Sequence, residues 1–235
     1  MEIDYQNIDF NSTLREDTLR SFKEMCKDEY VEFMKLFTSF SKLDKFLSSK
    51  CEVGDNKSKE YYTRVMHIRV KDHFSSSLIL VSQGFTVDAI SLTRSAMEDM
   101  FVILNFYLDP NYFNNWKNNK AGFKIKPGNL RNNKRIEKED RKLFNKVYKS
   151  LSNIVHPKIN SLNHMMKYHP TVLNDGTEGL IRLKKDAKLI NMSLFVYLNQ
   201  MINLLRKIYT NDQDINNLDR VKSEIPNVFG LFNEL

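Results

Sequence analysis

The stretch Gly84 to Leu108, GFTVDAISLTRSAMEDMFVILNFYL, constrains this chain more than any other. Thr86 is placed to N-cap it, Asp88 sits in its first turn and Asp109-Pro110 closes it, which predicts a helix of about six turns. At 100° per residue, Asp88, Ser91, Arg94, Ser95, Glu98, Asp99 and Asn105 fall within roughly 140° of one another, and nearly every other position is apolar. A helix apolar over most of its circumference belongs in the middle of a bundle, so its polar stripe must face partner groups or a cleft. Arg94 and Glu98, one turn apart, read in two ways. They are either a buried ion pair that sets the register of neighbouring helices or part of a site.

The rest of the composition agrees with helices. Of 235 residues, 41% are hydrophobic, with only 7 Gly and 5 Pro to mark turns. This length stays within the range of one core, so a single helical domain over 1–235 is expected. No apolar run reaches bilayer length, and residues 1–10 carry three acids and no basic residue, so neither signal peptide nor membrane anchor is expected and the cytoplasm is the expected location. Cys26 and Cys51 lack metal spacing and read as reduced thiols. Gly-rich phosphate loops, a Gly-x-Ser-x-Gly elbow, Cys-x-x-Cys pairs and internal repeats are all absent from the sequence, which argues against α/β nucleotide-fold enzymes. No cofactor is expected.

Along the chain, residues 1–11 read as an N-terminal arm, and Thr13 with Glu16 forms a capping box that opens a long helix. Its apolar residues, from Leu19 through Phe33 and Phe40 to Leu47, recur at three- and four-residue steps down to about Ser48. A second helix spans Ser58 to Gln83 with Gly84 as its stop, and the short connection makes an antiparallel hairpin with the stretch above. Arg69 and His73 share a face of that helix at i, i+4. His73 reads as a general base, an RNA contact or a structural histidine, and no carboxylate on the same helix face accompanies it. Asp109-Pro110 then starts a short helix whose Tyr112, Phe113 and Trp116 cover one end of the bundle.

Between Lys117 and Lys149 stand twelve lysines and arginines against three acids, a local excess larger than the whole chain's formal net charge of +7. The first part, 117–136, reads as a basic loop. Lys124, Lys126, Arg131, Lys134 and Arg135 are its candidate contacts to a phosphate backbone, against the ordinary reading of a solvated charged surface. A helix from Glu137 to Val155 follows and is stopped by Pro157, which leaves His156 at its end for acid–base work or a capping hydrogen bond. Further on, Thr171-Val-Leu and Gly179-Leu-Ile-Arg-Leu flank an Asn174-Asp-Gly176 turn signal and predict a small hairpin near 171–183. His164 and His169 lack the company a metal site needs. The last large helix is expected over Lys185 to Tyr209, and 212–235 reads as a short helix and an apolar tail. The fold class is therefore all-α, one bundle of six or seven principal helices.

Two short motifs, LTRSAMEDMF on the central helix and LSNIVHP at the end of a later one, resemble a bacterial helical family related to the HEPN superfamily. Many members of that superfamily are RNases of toxin–antitoxin and phage-defence systems, and the resemblance covers about Ser58 to Arg206. In catalytic members an Arg precedes a His near a helix end by five to seven positions, and an adjacent helix supplies a polar or acidic residue. Here His156 matches the His, and Glu98 or Asp99 matches the acidic partner. The positions for the Arg hold Lys149, Ser150 and Leu151, so the cations the resemblance implies are Lys149 and, from the neighbouring helix, Arg94. It implies a metal-independent RNase or other RNA-acting effector in which His156 moves protons, Arg94 and Lys149 steady the phosphate and Glu98 orients Arg94 or His156. It also implies a homodimer and a cognate regulator or antitoxin. The alternative is a non-catalytic binding or regulatory module in which Arg94, Glu98 and His156 form a structural polar network.

Overall fold

The computed structural model describes residues 19–51, 57–120, 123, 126–155 and 176–226. The architecture is an all-α bundle: α1 Lys27–Ser49, α2 Lys59–Ser82, α3 Thr86–Leu108, α4 Tyr112–Lys117, α5 Pro127–Arg131, α6 Lys138–Val155, α7 Gly176–Ile208 and α8 Asp212–Ser223. The expected N-terminal arm, capping box, His156, His164, His169 and apolar tail lie outside the described residues.

The first helix is not continuous. Residues 19–25 are helical, Cys26 breaks the geometry at φ −116° and ψ 41°, and α1 resumes at Lys27. The backbone ladder bridges the break through Cys26 N–H to the Phe22 carbonyl and Tyr30 N–H to the Cys26 carbonyl. Cys26 is completely buried there, and burial pushes its thiol up to about 11, which leaves it protonated and unreactive.

The hairpin between α2 and α3 follows the sequence closely. Ser58 caps α2 by accepting the Tyr61 N–H at 3.0 Å. At the other end Gly84 adopts φ 83°, a left-handed conformation that only glycine takes without penalty. Two closing bonds, Phe85 N–H to Leu80 carbonyl and Gly84 N–H to Val81 carbonyl, complete a Schellman stop. Because the chain turns this tightly, Thr86 is already the first residue of α3, and it makes no cap; the N-cap position falls to Phe85.

Two further expectations are corrected. Residues 176–183 are helical, so no hairpin forms there, and α7 begins at Gly176 rather than Lys185. Leu180, Leu183 and Ala187 pack on the core at helical steps of three and four, whereas a strand would have thrown Leu180 and Leu183 to opposite faces. The other half of that hairpin, 171–175, lies outside the described residues. The basic loop contains the short α5, which Pro127 opens at its first helical position.

The core runs through all the long helices. At its centre His67 of α2 stacks on Phe40 of α1 at 4.1 Å, and its Nδ1 hydrogen-bonds the Tyr197 hydroxyl of α7 at 2.7 Å. Burial drives that imidazole down to about 3, so it is neutral and structural. Phe106, Phe113, Trp116 and Tyr62 close one end of the bundle, with ring centres as near as 4.9 Å. Among the described residues no helix is long and apolar enough to cross a membrane.

Candidate functional site

α3 packs most extensively on α2 and also meets α6 and α7. Ala89, Ile90, Thr93, Ala96, Met97, Met100 and Phe101 form its buried side. The opposite side is the predicted polar stripe. Its contacts settle the orientation: Arg94 and Glu98 lie along the edge that meets α6, Asp99 along the edge that meets α2, and the partly exposed Ser91 and Ser95 between them. The stripe is thus flanked on both sides by a charged cluster. Asn105, further along, is buried and holds α5 in place by donating to the Leu130 carbonyl at 3.2 Å and accepting from Asn133 at 2.6 Å.

On the α6 side the predicted ion pair is present, with Arg94 Nε 3.2 Å from Glu98 Oε1. Tyr148 completes it. Its hydroxyl donates to Glu98 Oε1 at 2.5 Å and accepts from Arg94 Nε at 3.0 Å, so one carboxylate oxygen, one guanidinium N–H and one phenol satisfy one another. Burial, and then the hydrogen bond to Glu98, push the phenol above its ordinary value. The Tyr148 ring also serves as a platform for two cations: the Arg94 guanidinium carbon lies 5.1 Å from its centre and that of Arg131 lies 4.3 Å away. Arg131 is steadied by Asn145, which accepts from its Nε at 2.8 Å and in turn donates to Asn132. Among the described residues, the terminal nitrogens of Arg94 and Arg131 have no acceptor. Among the described residues, two planar donor forks therefore lie beside one ring without an acceptor at their terminal nitrogens.

On the α2 side Arg69 Nη2 donates to Asp99 Oδ1 at 2.8 Å. The sequence offered His73 no carboxylate on its own helix face, but α3 supplies one: His73 Nε2 lies 3.6 Å from Asp99 Oδ2. Both of those atoms are buried and neither has a hydrogen-bond partner among the described residues. The Asp99 side chain is only 5% exposed, and burial raises its carboxyl to about 6 against the opposing pull of Arg69. Burial and then the Arg69 charge lower His73, with Asp72 opposing, so the ring is neutral near pH 7.

The remaining predicted residues distribute unevenly. Lys149 is exposed on α6, and Lys126, Lys134 and Arg135 are exposed around α5. Arg135 Nη1 donates to the Leu108 carbonyl at the C-terminal end of α3. Lys124 and His156 lie outside the described residues. A cavity of about 400 Å³ opens near Arg135, lined by Leu104, Asp140, Gln200 and Lys207 among others. Two of its cations are paired, Lys207 with Glu137 of the same lining at 3.5 Å and Arg206 with Asp219 outside it at 3.3 Å. Among the described residues no group of three or more His, Cys, Asp or Glu is arranged to hold a metal ion. Tyr148 is not among the candidate residues that the sequence singles out; the usable signal was a phenol, which needs a partner when buried, on a helix that packs beside the Arg94–Glu98 pair.

Comparison of the chain with protein-family models, with curated proteins and with solved structures finds no match.

Proposed function

We propose that this protein is an RNA-acting effector that holds a phosphate backbone along the polar stripe of α3. The observation that carries the reading is the pair of guanidinium groups of Arg94 and Arg131 beside the Tyr148 ring, whose terminal nitrogens find no acceptor among the described residues. Such forks match phosphate oxygens two at a time. They sit beside the most basic segment of the chain, with Lys126, Lys134, Arg135 and Lys149 exposed around them. A localised positive surface attracts nucleic acid and speeds its capture.

Within this reading the resemblance to HEPN-like proteins supplies the class: a metal-independent ribonuclease of a phage-defence or toxin–antitoxin system, cytoplasmic and homodimeric, with a cognate regulator. His156 is its proposed proton-transfer group, with Arg94 and Lys149 on the phosphate and Glu98 orienting Arg94. A second reading also has a specific observation behind it. The closed set of bonds among Arg94 Nε, Glu98 and Tyr148 is what a structural network requires.

Anisotropy of a labelled single-stranded RNA against salt tests the proposal. Log affinity falls with log salt at a slope on the order of −0.7 per contacted phosphate. Arg94→Gln with Arg131→Gln makes that slope shallower, and so does replacing Lys124, Lys126, Arg131, Lys134 and Arg135 with Ser. Unchanged slopes in both variants overturn it in favour of the structural network. For the chemistry, His156→Ala abolishes cleavage while the melting temperature holds. Light scattering that finds a monomer at micromolar concentration removes the homodimer.

A further inference from the structure

The proposed function leaves the surface between α1 and α2 unused. The two helices run antiparallel, so that Phe40 stacks on His67 at 4.1 Å and Lys71 Nζ lies 5.8 Å from the centre of the Phe37 ring. Steps of three and four residues keep positions 23, 27, 30, 34 and 37 on one stripe of the first helix and positions 68, 71, 75 and 78 on one stripe of α2. These positions hold Lys23, Lys27 and Lys71 and no acid. Apolar surface is left open along them. Met34 is 42% exposed and Ile68 39% exposed, while Tyr30, Phe37 and Leu78 are only partly buried against the core. Lys23 Nζ lies 5.1 Å from the centre of the Tyr30 ring, as Lys71 Nζ lies over Phe37, so the cations rim this apolar surface. Exposed apolar surface rimmed by charge marks a place where another segment packs.

The chain holds a segment of matching character, joined at the head of this surface. Residues 1–18 lie outside the described residues and meet the described chain at Leu19, one helical turn before Lys23. Residues 1–10 carry Glu2, Asp4 and Asp9 and no basic side chain. They contain the triplets Ile3-Asp4-Tyr5 and Ile8-Asp9-Phe10. In an extended chain each triplet turns two apolar side chains to one face and a carboxylate to the other. Stripes with three cations and no acid are complementary in charge to a segment with three acids and no cation. The reach is sufficient. Phe37 lies about 27 Å along the helix axis from Leu19, and the residues before Leu19 span about 60 Å when extended. With the helix opening at Thr13, as the sequence predicts, the distance to Phe37 is about 36 Å and the residues before Thr13 span about 40 Å.

We propose that residues 1–10 dock on the α1–α2 surface of their own chain. Ile3, Tyr5, Ile8 and Phe10 supply apolar cover for Met34 and Ile68, and the three carboxylates pair with Lys23, Lys27 and Lys71. Tethering at Leu19 gives the arm an effective concentration of about a millimolar or more, so a weak contact suffices and any separate partner for this surface must displace it. The inference is independent of the RNA reading, whose groups Arg94, Arg131 and Tyr148 stand on α3, α5 and α6.

The test uses the full chain with p-benzoylphenylalanine in place of Phe10 or, in a second protein, of Tyr5. An equal mixture of isotope-labelled and unlabelled protein is irradiated, and the adducts are mapped by mass spectrometry. The expected adducts fall on Met34, Ile68 or their neighbours on the two stripes and join residues of the same copy. Lys23→Glu with Lys71→Glu lowers their yield about tenfold or more. Salt at about 1 M lowers the wild-type yield as well, which reads the same contact without any substitution. Adducts elsewhere on the chain, or none from either position, overturn the proposal and leave the surface to a separate partner. Adducts on the stripes that join two copies overturn it in favour of an arm exchanged between subunits. A yield indifferent to both salt and charge reversal overturns the pairing of carboxylates with lysines.

Discussion

The two flanks of α3 are built from the same kinds of group and differ in how completely those groups are used. On the α6 flank an arginine, a carboxylate and a ring close on one another: Tyr148 donates to Glu98, Arg94 donates to both, and the ring carries two cations on its surface. On the α2 flank Arg69 takes one oxygen of Asp99, and the other oxygen faces His73 across 3.6 Å with no bond made. The lesson is one of geometry. A phenol supplies both a donor and an acceptor at one atom and can complete a three-member set, whereas an imidazole with its inner nitrogen held away from a carboxylate leaves both unsatisfied. The closed flank contributes to stability, and the open flank leaves two buried polar atoms without a hydrogen-bond partner among the described residues.

The largest expected effect falls on the closed flank. Tyr148→Ala removes the buried ring and the hydrogen bonds together and costs about 3 to 5 kcal/mol in denaturant unfolding. A loss below about 1 kcal/mol would mean that the cluster is surface decoration and would erase the contrast between the flanks.

Next comes Asp99→Asn on the open flank, with the opposite sign. The folded carboxyl is raised to about 6 from 3.8, so the folded state binds its proton more tightly than the unfolded chain does. The stability linked to that proton is fully present below pH 3.8 and is lost as pH rises through about 6. Wild type therefore pays for ionised Asp99 at pH 7, and Asp99→Asn is more stable there by up to about 3 kcal/mol, with the advantage gone near pH 4. Unfolding curves for the two proteins that run parallel from pH 4 to 7 would contradict the open flank.

Glu98→Gln is smaller. It keeps an acceptor for Tyr148 while removing the charge opposite Arg94, both side chains being partly exposed, at a cost of about 1 kcal/mol or less. A cost as large as that of Tyr148→Ala would show that the charge, and not the ring, holds the flank together. Smallest of all, Lys126→Ser with Lys134→Ser changes unfolding stability by no more than about 0.5 kcal/mol, because both side chains are exposed, while the salt dependence of RNA binding becomes shallower. A large stability loss would instead assign these lysines to the fold.

Much of the bundle was legible because local chemistry and the final packing agree. Gly84 as the stop of α2, the i, i+4 pair of Arg94 and Glu98 and the burial of the opposite face of α3 all follow from rules that operate within one or two turns. The failures share a cause as well. At 176–183 a turn signal and an alternating pattern suggested strands, and packing on the core chose the helix. At Cys26 an unbroken periodicity concealed a local break that no residue type announces.

By itself the sequence determined that this chain is helical, where α2, α3 and α6 run and that a polar stripe lies on α3, since periodicity and end signals are properties of short segments. Tertiary structure alone decided who meets that stripe. Tyr148 is 50 residues from Glu98, and Asp99 is 30 from Arg69. Which side chains cross between helices depends on the rotation and height at which two cylinders pack, and those are set by the fit of whole faces rather than by any residue in the pair.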